Sequence, residues 1–454
     1  MAMEDDALDV EVRTLGRSKE ATEASFDVLE GADDARTCVR QALASRYAGA
    51  AKVERIAHVA HLVRGRNQQE AFRLALEEAR AGTNTTSYVD LVGQANERGW
   101  KEFQVDSEWV EATDRKAQQK QEKLERELAG YKTNLIKESI RMGHTDLGEF
   151  FYERGDYMDA FRSYVRTRDY CTTGKHVLWT CLGATKAALA MGNAQHAISY
   201  VQKGEAVPDL ANEPVVQAKF NAAAGLAQLM LREYGMAARR FCAVHPDLAQ
   251  DPSWLVSPQD AAVYGALCAL AFFGREEMRK RCIENVQFAQ VLEHVPEIRE
   301  MLHGMFCNQH AQGLEILDRL MPMLKLDKYL EEHLDTLQRE IRRCALVSYT
   351  LPFSTLRLAS VAKAFRTDIA GIEAELAGLI GDGQVLARID SAHKILYARR
   401  SDRRRLVFAQ ALANGRAQLE ECESALLRSS LQRHDVCVRP SLSHLQDSQH
   451  FSCP

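Results

Sequence analysis

The sequence predicts a mainly α-helical chain, in which a right-handed solenoid of paired helices is followed by a winged helix and one long terminal helix. Three observations support this fold class. No proline occurs before Pro208, in a stretch rich in Ala, Leu, Glu and Arg. Apolar residues return at three- and four-residue steps over most of the chain. One segment repeats small and aromatic residues at the spacing of stacked helical hairpins.

The hairpin signature lies between Tyr131 and Cys171. Its packing positions are small or aromatic residues at fixed intervals, namely Leu147, Gly148, Phe151, Gly155, Ala160 and Tyr164. Small residues let two helices approach closely, and the aromatic rings fill the space between them. This is the tetratricopeptide spacing. Gly155 and Asp156 predict the turn, with the Asp156 side chain capping the second helix.

The same turn returns downstream, because Gly192, Asn193 and Ala197 repeat Gly155, Asp156 and Ala160 after 37 residues (192 − 155 = 37). A single isolated hairpin is the simpler alternative. The return of the pattern favours an array of helix pairs.

Composition and periodicity divide the chain of 454 residues into six segments. They are an acidic arm expected to be mobile (1–40), an N-terminal helical region (41–128), the helical repeats (129–257), a region of further helices that ends in the winged helix (258–402, winged helix 349–402), a C-terminal helix (403–433) and a tail expected to be mobile (434–454). Within them, the alternating charges of residues 111–128 predict a solvated connecting helix, and residues 261–273 predict a buried helix.

The winged helix is predicted from a change of pattern after Tyr349. Ser354 is expected to cap a helix that ends at Ala364, a turn follows, and a second helix begins at Ile369. Alternating apolar residues then predict a two-stranded hairpin. We expect its sheet edge to be a partner surface that includes Val385, Ile389, Ile395 and Tyr397.

Many winged helices read DNA, so the charge of the second helix matters. Its charged residues are all acidic: Asp368, Glu373, Glu375 and Asp382. DNA binding depends largely on neutralising phosphates with Lys and Arg. The formal net charge of the whole chain is −5. We therefore do not expect nucleic acid to be a partner.

A cluster of arginines follows the hairpin: Arg399, Arg400, Arg403, Arg404 and Arg405. One interpretation is a solvated junction before the last helix, and another is a contact with an acidic surface of a neighbouring protein. RNA is a third interpretation, weakened because no aromatic residues interleave with the arginines.

The C-terminal helix carries leucines seven residues apart, at Leu412, Leu419 and Leu426, with Phe408 and Cys422 at adjacent positions. Such a repeat keeps one seam facing a partner helix. The seam either packs on its own domain or remains exposed in the isolated chain. Gly415 lowers the stability of this helix, so partner helices would supply the order of an exposed seam.

Two separate segments resemble known families. The first contains IKESIR at 136–141, GHTDLG at 143–148 and RDYC ending at Cys171, and it resembles the subunit-one family of the COP-nine signalosome. The second comprises LPFSTLRLASVAKAF at 351–365 and RIDSAHKILYARR at 388–400. It resembles the terminal half of the PCI domain, which the signalosome shares with the proteasome lid and an initiation factor.

The resemblance implies that residues 258–402 form a PCI domain and that the chain is a noncatalytic scaffold. Its partners would be other PCI subunits, the metalloprotease subunit that removes a ubiquitin-like modifier from cullins, and cullin-RING ligases. In such complexes winged helices pair side by side and terminal helices enter a shared bundle. The resemblance therefore favours a leucine seam that is exposed in the isolated chain. Two alternatives remain: the related proteasome-lid subunit, and an RNA-associated PCI protein of translation or export.

No catalytic or cofactor motif is present: the sequence contains neither H-E-x-x-H nor a phosphate-binding glycine loop. His58 and His61 share a helical face, but without an evident third ligand they are interpreted as ordinary histidines. Several of the eleven cysteines lie on apolar faces, such as Cys181, Cys242, Cys268 and Cys344. They are expected to be reduced, which indicates cytoplasm and nucleus. We expect no signal peptide and no membrane span.

Overall fold

The computed structural model describes residues 46–63, 66–100, 102–250, 254–399 and 403–436. Within these ranges the chain forms a long series of helices and one three-stranded sheet, which confirms the mainly α-helical prediction. The predictions made for residues 1–40, for Arg400 and for most of the tail, 434–454, lie outside the described residues. None of the helices in the described ranges has the length and apolar character needed to span a membrane.

Three helices form the first part of the described chain: α1 (Ala50–Leu62), α2 (Arg66–Ala81) and α3 (Thr85–Glu97). They share a small core around Phe72 and Val92, both fully buried. Asn84 caps the start of α3, because its side chain accepts a hydrogen bond of 2.9 Å from the backbone N–H of Ser87. This bond satisfies a donor that has no partner within the helix.

The charged segment is a helix, as predicted, and extends over α4 (Ser107–Thr133). Ala117 and Leu128 are its buried residues, whereas oppositely charged side chains lie one turn apart on its surface, such as Arg115 and Glu111 at 3.0 Å. Each such pair adds only a few tenths of a kcal/mol to helix stability. The helix continues past residue 128, the predicted end of the N-terminal region, to Thr133.

The first hairpin consists of α5 (Lys137–Arg154) and α6 (Tyr157–Thr167). Leu147, Ala160 and Tyr164 are buried in it, and Phe151 is half-buried. Gly155 closes α5 with a φ of 90°, the left-handed conformation that glycine adopts without strain.

The expected side-chain cap at Asp156 is wrong. Asp156 lies at the N-cap position of α6, but its side chain accepts no hydrogen bond from the first turn. Its carboxylate instead lies 3.9 Å from Nε of Arg154. Its backbone, with φ of −81° and ψ of 65°, is outside the extended region typical of capping residues.

Two further helix pairs continue the array: α7 (Gly174–Ala190), α8 (Ala194–Glu205), α9 (Pro214–Met230) and α10 (Tyr234–Phe241). The predicted second turn is confirmed. Gly192 has a φ of 75°, Asn193 accepts a hydrogen bond of 3.1 Å from the backbone N–H of His196, and Ala197 is fully buried. Each pair thus packs its small residues against the next, as a helical solenoid requires.

Helix α11 (Pro258–Phe272) is buried along most of its length, as predicted from residues 261–273. Around and after it lie α12 (Arg275–Met278), α13 (Val286–Leu292), α14 (Pro296–Phe306), α15 (His310–Leu324) and α16 (Glu331–Thr350). Helices α10, α13, α14 and α16 all contact α11. A helix enclosed on every side has no polar face, which is why its sequence is apolar all round.

The winged helix contains β1 (Thr355–Arg357), α17 (Leu358–Phe365), α18 (Ile369–Gly381), β2 (Ala387–Asp390) and β3 (Ile395–Ala398). The expected cap at Ser354 is wrong, because residues 355–357 form a strand that the sequence reading missed. The Ser354 carbonyl accepts a hydrogen bond of 2.8 Å from the backbone N–H of Ala398, and α17 begins only at Leu358.

The sheet has the order β1-β3-β2, with both pairs antiparallel. Leu396 of β3 lies opposite Leu356 of β1 and Ile389 of β2. Leu356 and Leu396 are buried on the face that covers α17 and α18. The last helix, α19 (Arg403–Arg433), follows the sheet.

Candidate assembly interface

The four hairpin residues expected at a partner surface occupy different positions. Val385 precedes β2 and is 8% exposed within the chain's own core, and Ile389 in β2 is half-buried against that core. Ile395 and Tyr397 lie in β3, which is paired on both sides. The hairpin therefore does offer a sheet edge, on β2, but an edge position is wrong for Ile395 and Tyr397. The other edge of this sheet is the missed strand β1, and contact of these residues with a partner stays a prediction.

An apolar groove lies beside β2, between the sheet and the end of α16. Two adjoining cavities form it, of about 580 and 880 Å³, and they share Val347, Leu351, Phe353 and Gln384. Leu351 is 76% exposed and Leu386, next to β2, is 64% exposed. Exposed apolar side chains grouped in this way are typical of interaction surfaces. We call this feature the wing groove.

Sequence reasoning missed Leu351, Phe353 and Leu386 as surface residues. Phe353 is 43% exposed. Leu386 follows the buried Val385, and alternation along an extended segment places the two side chains on opposite faces. The sequence therefore indicates that one of these two side chains is buried and the other exposed, but it does not show which of them faces the core.

The leucine seam of α19 contacts no other described part of the chain. Leu412, Leu419 and Leu426 are 49, 64 and 71% exposed. Phe408 is 66% exposed, and Cys422 is also exposed. Every described side chain from Arg404 to Arg433 is exposed except the half-buried Leu431. The alternative that the seam packs on its own domain does not hold in this structure.

The arginine cluster joins the sheet to α19. Arg399 is exposed, and its backbone N–H donates a hydrogen bond of 2.7 Å to the Leu386 carbonyl. Arg404 and Arg405 are exposed on the first turn of α19. Arg403 begins this helix, whereas Arg400 lies outside the described residues. A solvated junction, an acidic neighbour and RNA therefore remain the three interpretations of this cluster.

The acidic residues of α18 would repel a phosphate backbone less strongly than the sequence alone suggests. Glu373 lies 2.6 Å from Nζ of Lys394, Glu375 lies 3.0 Å from Nε of Arg342, and Asp382 lies 2.6 Å from Nη2 of Arg343. Hydrogen bonds from Lys394 and Ser391 hold the pKa of Glu373 below its ordinary value. Because these partners neutralise the carboxylates, the helix is nearly neutral rather than strongly negative, and it still carries no Lys or Arg for phosphate.

The two histidines of α1 face different neighbours. His58 Nε2 lies 3.0 Å from Oε2 of Glu331, a carboxylate that sequence reasoning did not place there. His61 Nδ1 lies 2.8 Å from Nη2 of Arg98. Burial lowers the pKa of both imidazoles. Among the described residues, no three His, Cys, Asp or Glu side chains are grouped as metal ligands.

The cysteines named above lie on apolar surfaces. Cys181, Cys242 and Cys268 are buried, and the half-buried Cys344 donates a hydrogen bond of 2.8 Å to the Ala271 carbonyl. Burial raises the pKa of the Cys268 thiol to about 12. A thiol that stays protonated is a poor nucleophile, so this cysteine contributes packing.

Two protein-family models match this chain. The sequence model of the family described as 26S proteasome subunit RPN7 matches residues 106–281, which include the helix pairs α5 to α10. The model described as PCI domain matches residues 320–400, which include the winged helix.

Individual relatives are similar over most of the chain. The COP9 signalosome complex subunit 1 of Arabidopsis thaliana is 43% identical over 401 residues, 88% of this chain and 91% of that protein. Subunit 1b of Drosophila melanogaster is 37% identical over 77% of this chain and 67% of its own length. The 26S proteasome non-ATPase regulatory subunit 6 of Caenorhabditis elegans is only 19% identical, over 68% of this chain and 77% of its own length.

Proposed function

The chain belongs to the COP9 signalosome complex subunit 1 family, and from this premise we propose that it is a noncatalytic scaffold of the signalosome. The seam of α19 is the observation that carries the proposal. Leu412, Leu419 and Leu426 repeat every seven residues on a helix that no other described part of the chain covers.

The energetics favour a partner for α19. Burying one leucine side chain stabilises an assembly by about 1.5–3 kcal/mol, so three leucines together contribute several kcal/mol. A helix of 31 residues in water gains little from its own hydrogen bonds, and Gly415 in its interior costs about 1 kcal/mol. Helices of neighbouring subunits that bury the seam would supply the missing stability.

The wing groove provides a second contact. Leu351, Phe353 and Leu386 form an exposed apolar surface next to the edge strand β2. An edge strand offers unpaired backbone donors and acceptors, and burying the apolar side chains of the groove beside it would stabilise a contact with a partner. We assign this surface to a neighbouring PCI subunit.

The two ends of the molecule then have different tasks. The PCI domain and α19 hold the chain in the complex, and the helical repeats, α5 to α10, form an arm directed toward the cullin-RING ligase. The metalloprotease subunit would carry out the cleavage that removes the ubiquitin-like modifier from the cullin. Cytoplasm and nucleus are the proposed compartments, supported by the buried thiols of Cys181, Cys242 and Cys268.

The assembly role is tested by recovery of the other signalosome subunits with tagged variants of this chain in cells. Leu419→Asp places a charge in a buried apolar contact, where desolvation costs several kcal/mol, and should reduce that recovery at least tenfold. Ala417→Asp adds the same charge two residues away, on the opposite face of α19, and should be recovered normally. Normal recovery of Leu419→Asp would show that the seam is not an assembly element.

The noncatalytic role is tested separately. The purified full-length chain should leave a modified cullin uncleaved, and the assembled complex should cleave it. Cleavage by the chain alone, together with stoichiometric zinc that resists washing with a chelator, would refute the scaffold proposal.

The proteasome lid remains the second candidate, because the family model of a proteasome subunit matches residues 106–281. Mass identification of the recovered partners separates the two assemblies. Signalosome subunits support the proposal, proteasome subunits support the second candidate, and recovery of ribonucleoproteins alone would support the third alternative, an RNA-associated PCI protein.

A further inference from the structure

A basic groove lies on the helical arm, away from the winged helix and from α19. It runs between α4 and α6, has a volume of about 500 Å³, and its floor is formed by α5. Three cationic side chains line it, Lys132 from α4 and Arg162 and Arg166 from α6, together with His144 of α5. We call it the α4–α6 groove.

Two of these cations are not neutralised. Lys132 and Arg166 are exposed, and neither forms an ion pair with any described residue. Arg162 is paired with Asp159 at 3.0 Å. Nearby Arg141, outside the groove, is likewise held by Glu138. The unpaired positive charge is therefore concentrated on the two opposite walls of the groove.

The positive charge of the groove contributes to a lowered pKa of the His144 imidazole. The residue is 3% exposed, and its ring stacks on Tyr170 with 5.9 Å between centroids. Its pKa falls to about 4, first because burial disfavours the charged form and then because Lys132 and Arg166 repel a further positive charge. At neutral pH the ring is uncharged and keeps one N–H donor.

The floor of the groove is apolar. Leu147 is buried, and Phe151 is half-buried beside it. Three residues beyond Lys132, Leu135 is 81% exposed with a φ of 55°, and Ile136 is 50% exposed. A leucine held exposed in the left-handed region is uncommon. Leu135 and Ile136 add exposed apolar surface after the end of α4, and the groove itself combines cationic side chains on its walls with apolar side chains in its floor.

We propose that the α4–α6 groove binds an acidic peptide segment of a partner protein. Its carboxylates pair with Lys132 and Arg166, and an apolar side chain between them packs on Leu147 and Phe151. The positive charge of the walls favours a negatively charged ligand, and the half-buried Phe151 in the floor favours a peptide with an apolar side chain over a bare inorganic anion, which would make no apolar contact there.

Two carboxylates that line the groove argue against nucleic acid as its ligand. Glu125 and Asp159 line the same groove. A nucleic acid carries a phosphate at every step and would meet these carboxylates, whereas the proposed peptide is one whose acidic residues are separated by uncharged ones, so that its carboxylates pair with Lys132 and Arg166 and uncharged side chains face Glu125 and Asp159. The groove belongs to the arm, so this binding is separate from the assembly contacts of the wing groove and α19.

Binding is measured by fluorescence anisotropy of a labelled twelve-residue probe with glutamates at alternate positions and leucines at two of the others. A control probe has the same sequence with glutamine in place of every glutamate. The wild-type full-length chain should bind the acidic probe, and Lys132→Gln combined with Arg166→Gln should weaken this binding by about tenfold. Both side chains are exposed and lie in the last turn of their helices, so their removal should lower the free energy of unfolding by no more than about 1–2 kcal/mol, and the full-length chain should remain folded at the temperature of the binding measurement.

A matched double variant controls for net charge. The double variant Lys280→Gln, Lys363→Gln also removes two exposed cations that have no described ion-pair partner. Both positions lie outside the groove. The affinity of this variant should stay within about twofold of wild type.

Several outcomes would overturn the proposal. Equal loss in both double variants would show diffuse attraction rather than a site, and equal binding of the glutamine probe would show that charge is irrelevant. Displacement by millimolar inorganic phosphate would indicate a small-anion site. Concentration-dependent dimerisation that the groove variant abolishes would identify a second copy of this chain as the occupant. Recovery of the signalosome subunits does not depend on any of these results.

Discussion

The guanidinium of Arg55 lies 3.0 Å from the carboxylate of Asp327, although 272 positions separate them in the sequence. Arg55 is 3% exposed, and it also lies 3.3 Å from Asp260 and donates a hydrogen bond of 3.1 Å to the Leu255 carbonyl. Helix α1 is thereby joined to the middle of the chain, at the start of α11 and just before α16. The N-terminal helices are therefore fixed against the region that leads into the PCI domain.

Replacing Arg55 should destabilise the whole chain. Arg55→Met keeps most of the side-chain volume but removes the closest cation of Asp260, which keeps only Arg46 at 3.9 Å, and the cation that pairs with Asp327. Breaking a buried ion pair from one side costs about 3–5 kcal/mol. Denaturant unfolding should report this loss. As a control, Arg73→Met removes an exposed cation of α2 whose partner Glu102 is 3.9 Å away, and should cost less than about 0.5 kcal/mol. Equal stabilities of the two variants would contradict the proposed role of Arg55.

The stability of the helical arm should depend on pH through His144. Its folded pKa is about 4, below the ordinary value of 6.5, so its contribution is fully present above pH 6.5 and is lost as the pH falls toward 4. After allowance for solvent screening, this contribution is about 1–2 kcal/mol. Melting curves between pH 7.5 and about 4 should therefore show a shallower fall for His144→Gln than for wild type. The exposed His196→Gln should follow the wild-type curve.

Close packing in the first repeat should make Gly148 intolerant of a methyl group. A Cβ at Gly148 would lie 2.7 Å from Cε1 of Tyr164, a ring that also lies 2.8 Å from a Cβ at Gly183. Gly148→Ala should therefore destabilise the chain by about 1–3 kcal/mol. Gly378→Ala is the matched control, because nothing lies within 4 Å of its added Cβ, and it should stabilise α18 by about 0.5–1 kcal/mol. The prediction fails if Gly148→Ala melts at or above the wild-type temperature.

A charge in the wing groove should affect assembly without affecting folding. Leu386 is 64% exposed, so Leu386→Glu should change the free energy of unfolding by less than about 0.5 kcal/mol. It should nevertheless reduce the recovery of neighbouring subunits, because the new carboxylate would be desolvated in the contact. Ser360→Glu adds a charge at an exposed position of α17 and should assemble normally. Full recovery of Leu386→Glu would remove the wing groove from the interface.

Several errors of the sequence reading share one cause. Ser354 was expected to cap a helix, but the short segment 355–357 gains more by pairing with β3. Likewise, Ile395 and Tyr397 were expected at an edge, and the third strand places them in the centre of the sheet. Local propensity cannot foresee a pairing with a strand about forty residues away, because that pairing depends on how the helices between them pack.

The sequence by itself determined the features that depend on local spacing. These include the helix pairs around Gly155 and Gly192, the buried α11 and the heptad seam of Leu412, Leu419 and Leu426, because 3.6-residue periodicity and turn chemistry are properties of short segments. The tertiary structure alone decided which distant groups meet. The Arg55–Asp327 pair, the central position of β3, and the joining of Lys132 and Arg166 around His144 all depend on how the whole chain folds back on itself, and no short segment encodes that arrangement.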